Sequence, residues 1–204
     1  MSQNFLSIQK EYLKKAWARP IRELEVALPA HYAENCFHFQ AFGEPCEIHR
    51  EEIILGGDPL HSAEGVLIAI YASFVTNQPI QLQPLKAFRQ FPGGMSYQAA
   101  FSMNAEKVLI PHVESIQKRQ EELIARFSGT PNRDVKRYDF SFTLHPLPNV
   151  PLYYLFNLPD EEFPASVTCL FSSNADSFLP VEGLADTAEY TSKKIIALII
   201  EVRS

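Results

Sequence analysis

Residues 138–171, YDFSFTLHPLPNVPLYYLFNLPDEEFPASVTCLF, decide the fold. Tyr138, Phe140, Phe142 and Leu144 alternate with Asp139, Ser141 and Thr143, the period of a strand that buries one face. Residues 152–157 and 166–171 read as two more strands, joined by the acidic bend of residues 158–164. Strands of this kind predict an antiparallel sheet. Toward the C-terminus a helix is expected from about Gly183, with Asp186 and Glu189 as a capping box. On the other side, Val113, Ile116, Leu123, Ile124 and Phe127 recur at three and four, which predicts a helix over 111–127. Pro111 suits its first turn and Gly129 its stop.

Further toward the N-terminus, Pro79, Pro84 and Pro92 keep residues 77–94 irregular. Residues 63–75 are apolar nearly all round, which predicts a buried helix with Ser62 at its cap. From Cys36 the pattern alternates again. Phe37, Phe39 and Ala41 fall on one side of a strand and Cys36, His38 and Gln40 on the other, with a turn at Gly43 and Glu44 before a second strand over 46–55. Residues 4–17 form an amphipathic helix, and Pro20 and Pro29 bracket a short one. The expectation is one α+β domain over 1–204, an antiparallel sheet packed against several helices, with 1–30 as a helical N-terminal segment.

Composition narrows the function. At 204 residues the chain can bury a sizeable core, and 46% hydrophobic with 21% charged residues argues against extended disorder. The net charge of −6 lacks the basic field that draws a protein to nucleic acid or anionic lipid, so neither is an expected partner. The apolar runs at 66–71 and 195–200 are far shorter than the roughly 20 residues of a spanning helix. No apolar run marks the N-terminus as a secretory signal, so a soluble, cytoplasmic protein is expected. Three cysteines, Cys36, Cys46 and Cys169, are an odd count without C-x-x-C spacing, which predicts reduced core thiols. The chain has no G-x-G-x-x-G, no Walker lysine loop and no H-E-x-x-H, and no cofactor is expected.

Two constellations carry potential chemistry. Asp160, Glu161 and Glu162 crowd three carboxylates into one bend, where neighbouring charge can split pKa values into an acid and a base or hold a divalent cation. Phe163 and Pro164 are expected to anchor that bend on the core, with Ser172, Ser173, Asn174 and Asp176 nearby. In the hairpin, a turn at Gly43 and Glu44 would set His38 opposite His49 and Cys36 opposite Glu51, a zinc-competent set of ligand types. A shift of register would scatter it. Gly93, Gly94, Met95, Ser96 and Tyr97 faintly suggest a nucleophile turn, but Gln98 stands where G-x-S-x-G needs glycine. Gly56, Gly57, Gly93 and Gly94 read as backbone positions needing positive φ or close approach. His61, His112 and His145 are singletons that read as helix-end or core polar groups.

The run from Val150, Pro151 and Leu152 into the D-x-E-F-P-A bend at 160–165, then Cys169, Leu170, Phe171 and 179–182, resembles the C-terminal signature of the bacterial family catalogued as domain of unknown function 3786. Phe91, Pro92, Gly93 and Gly94, with Tyr97 and Phe101, are similar to its central motif, as are Phe42 and Gly43, the Leu55, Gly56, Gly57 run and the buried helix. The resemblance covers most of residues 36–200. It nominates Asp160, Glu162, Phe163, Pro164, Gly93, Gly94 and Tyr97 as motif positions and transfers no catalytic roles. Some members resemble fusions to a cysteine-rich iron–sulfur module, which implies a setting in anaerobic redox or corrinoid-linked metabolism; this chain lacks that module.

Three readings follow. The first is a non-enzymatic accessory module that binds a small molecule or a redox partner protein in a pocket near the acidic bend and the glycine motif, through Gly93, Gly94, Tyr97, Phe163 and Pro164. The second is a hydrolase or lyase using Asp160 or Glu162 as general base. The third is a metal-binding protein using Cys36, His38, His49 and Glu51.

Overall fold

In the computed structural model, which describes residues 2–132 and 137–200, the chain opens with α1 (Ser2–Trp17) and α2 (Ile21–Ala27). The first sheet follows: β1 (His31–Ala33), β2 (Cys36–Ala41), β3 (Glu44–Ile48), β4 (Ile53–Leu55) and β5 (Asp58–Pro59). Then come α3 (Ala63–Phe74), β6 (Lys86–Ala87), α4 (Gly94–Phe101), α5 (Val113–Lys118) and α6 (Gln120–Arg126). The second sheet is completed by β7 (Thr130–Pro131), β8 (Phe140–Leu147), β9 (Val150–Asn157) and β10 (Ser166–Phe171), and α7 (Val181–Ile200) closes the described chain.

The fold is α+β; among the described residues all strand pairing is antiparallel, and the strands divide into two five-stranded sheets. The first runs in simple sequence order, β1-β2-β3-β4-β5, and the second is ordered β6-β10-β9-β8-β7. A continuous apolar cluster reaches from Leu13 and Phe37 through Phe42 and Phe101 to Phe171 and Ile195. Where the sheets approach, the Phe42 N–H donates to the Pro146 carbonyl at 2.6 Å. Beside it, the buried Asn149 amide donates to the Ala27 carbonyl at 2.7 Å. These two bonds dock the β2–β3 turn, the end of α2 and the β8–β9 turn against one another.

Several expectations are corrected by packing. Strand β8 buries both faces: Ser141 and Thr143 are 6% and 4% exposed. Asn132 covers them, its carbonyl accepting from the Ser141 hydroxyl and its side-chain oxygen from Thr143 at 3.0 Å. The region expected as one helix over 111–127 is divided at Arg119, whose φ of −113° and ψ of 16° leave the helical range. There the Arg119 guanidinium pairs with Glu122 and donates to the Leu198 carbonyl of α7. Residue Ser128, at φ 49°, takes the left-handed stop position expected of Gly129. Gly129 is needed for a different reason, because a Cβ there would stand 2.2 Å from the Thr143 carbonyl oxygen.

The strand expected over 46–55 is two strands, β3 and β4, with a turn between them closed by the His49 N–H donating to Glu52 O at 3.0 Å. Helix α7 starts at Val181, so Asp186 and Glu189 lie inside it rather than at its cap. Pro180 accounts for the earlier start, since its carbonyl accepts the Leu184 N–H at 3.0 Å. Ser62 does occupy the N-cap of α3, though without a side-chain capping bond. All three cysteines are buried and free. Among the described residues, no helix is long and apolar enough to cross a membrane.

Candidate functional site

The β2–β3 turn sets the geometry of the site. Phe42 and Gly43 occupy its two central positions, at φ 50° and 76°, where the sequence reading placed Gly43 and Glu44. Moving the turn back by one residue slides the pairing by two, which preserves the faces but changes the partners. His38 therefore stands opposite Glu47, not His49. Glu51 is excluded from the set; it is an exposed side chain paired with Lys10 at 3.0 Å.

On that face Cys36 and His38 project side by side, since residues two apart on a strand share a side. The Cys36 Sγ lies 3.1 Å from His38 Nε2. One ligand atom from each of Cys36, His38 and Glu47 falls within 4.8 Å of the others. His49 stays close as a neighbour of Glu47, its Nε2 3.0 Å from Glu47 Oε2. Desolvation, reinforced by the Glu47 and Glu34 carboxylates, pushes the Cys36 thiol above its ordinary pKa. The site thus joins three of the four residues expected from the sequence, with Glu47 added and Glu51 removed.

His38 and Glu47 also line a cleft of about 610 Å³. Its near wall is the hairpin, with Phe39, Gln40 and Pro45, and its far wall is built from Pro29, Ser128, His145 and Pro148. His145 reaches the cleft through a β-bulge. The β8–β9 register shifts between Leu144 and Leu147, so that His145 and Pro146 together oppose Pro151. Pro146 is the local sequence signal for this irregularity, since it brings no N–H to a ladder. Burial holds His145 below its ordinary pKa, with partial compensation from the Pro148 carbonyl. It is therefore a neutral imidazole at pH 7. The sequence reading missed both Glu47 and His145 as site residues.

The other nominated residues lie elsewhere. Residues 160–164 are all exposed, and Phe163, at 67% exposure, does not anchor the bend on the core. Leu158 packs there instead. Asp160 holds its own loop: its Oδ1 accepts the Glu162 N–H at 2.8 Å and the Phe163 N–H at 2.7 Å. A shallow depression of about 440 Å³ lies beside Asp160, Phe163 and Pro164. Ser173 and Asn174, expected close by, follow the opposite end of β10, where they bond to Gln81 and Pro79.

Gly93, at φ 82°, is the N-cap of α4, and a Cβ on Gly94 would meet the Phe88 carbonyl oxygen at 2.3 Å. Gly93 thus serves a left-handed backbone position and Gly94 the tight approach of its turn to Phe88. Tyr97 is 43% exposed and borders a small cleft of about 160 Å³ with Asn104, Asp186 and Glu189. The strand β6 that precedes the glycines pairs with Leu170 and Phe171, whereas the acidic bend precedes Ser166. The two motifs therefore flank opposite ends of β10, with Tyr97 bordering one cleft and Asp160, Phe163 and Pro164 another.

No curated protein and no solved structure matches the chain. The match is with a family: the model described as domain of unknown function (DUF3786) covers residues 21–194, from the start of α2 into α7, and the chain belongs to that family.

Proposed function

We propose that this protein is a binding module whose small-molecule ligand occupies the cleft between the β2–β3 hairpin and the β8–β9 turn. The observation that carries the reading is the convergence of His38, Glu47 and His145 from three separate strands on one cleft of about 610 Å³. That size falls within the roughly 300–1,000 Å³ of small-ligand sites, which combine an apolar lining with a few placed polar groups. Phe39, Pro29, Pro45 and Pro148 supply the apolar lining. The neutral His145 ring gives its N–H to the Pro148 carbonyl and so has one acceptor nitrogen left, which fits a ligand with a flat or apolar body and a hydrogen-bond-donating head. The hydrolase or lyase reading through Asp160 or Glu162 gains no support, because the bend is open to water and Asp160 is committed to its own backbone.

The test is a thermal-shift screen of metabolites against the purified protein in the presence of a chelator. A ligand at about 100 times its Kd stabilises the native state by about 2.7 kcal/mol, a readable shift. The expected hits lose their effect in Gln40→Trp, which fills the cleft, and weaken in His145→Ala. Hits that survive Gln40→Trp unchanged, or a screen with none, would overturn the reading.

A further inference from the structure

We infer that Cys36, His38 and Glu47 form a three-ligand site for a borderline divalent cation of the zinc type at the rim of the cleft. Thiolate, imidazole and carboxylate are together the ligand chemistry of such ions. Bonds of about 2.0–2.3 Å at tetrahedral angles put donor atoms about 3.3–3.8 Å apart. The present donors span 3.1 Å, between Cys36 Sγ and His38 Nε2, to at most 4.8 Å. Closing that gap takes side-chain adjustments of about an ångström, because Cys36 and His38 share a strand face and Glu47 is the direct cross-strand neighbour of His38.

The surroundings fit this use. His49 Nε2 lies 3.0 Å from Glu47 Oε2, where a hydrogen bond would hold the carboxylate and leave its other oxygen to the cation. Cys36 is only 2% exposed, so the sulfur is shielded on the protein side. On binding, the Cys36 S–H proton passes to solvent as the sulfur–metal bond forms. Three protein ligands leave one tetrahedral position open, the arrangement of sites that bind an exogenous group rather than of closed structural sites. His38 and Glu47 line the cleft, so this position is available to a ligand lying there. Only that last step rests on the cleft reading; the cation site stands without it.

Cobalt(II), added to the reduced, chelator-stripped protein, is the probe. The expected result is one cobalt per chain, with tetrahedral bands in the visible and a thiolate-to-cobalt charge-transfer band. Cys36→Ser abolishes the charge-transfer band, and His38→Ala lowers affinity about 100-fold or more. His49→Ala, which removes a supporting contact only, costs about 10- to 100-fold. His145→Ala, which should weaken metabolite binding, leaves the cobalt spectrum unchanged. Absence of stoichiometric cobalt, or a thiolate band that persists in Cys36→Ser, overturns the site. Should Cys36→Ser fail to fold, Glu47→Gln decides, and unchanged cobalt affinity in that variant is equally fatal. Metabolite shifts that survive while cobalt fails to bind would sink the cation site alone.

Discussion

The two sheets begin from the same alternating pattern and end in different environments. In the second sheet, β9 buries six of its eight residues, and the rings of Phe140, Phe142, Tyr154 and Phe156 pack together across β8 and β9. The Phe140 and Phe156 rings lie 4.5 Å apart and 5° from parallel. In the first sheet only one face meets the core; the other presents half-buried His38, Glu47 and His49 beside the shielded Cys36. A sheet covered on both sides can hold a structure but leaves its side chains nothing to touch. One covered on a single side holds polar groups in fixed register and still leaves them reachable. That is why the candidate chemistry collects on the smaller strands and the stability on the larger ones.

The sharpest way to break this comparison is a pair of truncations. Phe156→Ala removes a fully buried ring from the stack and is expected to cost about 3–5 kcal/mol, read from urea or thermal unfolding. His38→Ala, on the open face of the first sheet, is expected to change stability by less than about 0.5 kcal/mol. Equal losses would mean that the open face is structural after all.

A second effect concerns the edge of the second sheet. Glu106, in the π-helical turn Ser102–Glu106, accepts the Cys169 N–H at 3.1 Å and so covers a stretch of β10 that β6 leaves unpaired. Burial raises the Glu106 pKa above its ordinary value, outweighing that bond and the Ser102 hydroxyl. The folded protein then keeps this proton to higher pH than the unfolded chain does. Its contribution to stability is complete below the unfolded-state value of about 4.5 and declines as pH rises through the folded value. Glu106→Gln keeps the acceptor and removes the ionisation. Its melting temperature is expected to fall less than that of the wild type between pH 4.5 and pH 7, and identical profiles would refute the assignment.

The smallest effect sharpens the wall of the cleft. Ser128 holds φ 49° at the end of α6, a position that glycine occupies without steric cost. Ser128→Gly is expected to stabilise by about 0.5–1 kcal/mol, measured by denaturant midpoint, or to be neutral once the greater freedom of unfolded glycine is included. A loss of more than about 1 kcal/mol would show that the serine side chain, rather than the backbone alone, supports the cleft.

Much of this was legible locally. The amphipathic stripe of α1, the buried character of α3, the strands β8 to β10 and the hairpin from Cys36 all follow from periodicity and turn residues, which act over a few positions. The candidate site was half legible for the same reason: Cys36 and His38 share a face whatever their partner strand does. Glu47 depended on register and His145 on a bulge, and both are settled by contacts far along the chain. The acidic bend misled because crowded carboxylates look alike whether they are buried or, as here, exposed and bonded to their own loop.

The sequence by itself determined that residues 36–48 fold back as a hairpin with its polar residues on one side, because alternation and a nearby glycine suffice for that. Only the tertiary structure decided which residues meet. A glycine suits either central position of a two-residue turn, so Gly43 alone leaves two registers open; the one adopted puts Phe42 at positive φ beside Gly43, and Phe42 bears a cost of about 1–2 kcal/mol for it. Its ring is 1% exposed, packed in the core with Tyr190 at 6.2 Å, and burial of such a side chain contributes about 1.5–3 kcal/mol. The core's hold on one aromatic ring thus outweighs the backbone preference, and it is this that brings Glu47, rather than His49, to His38.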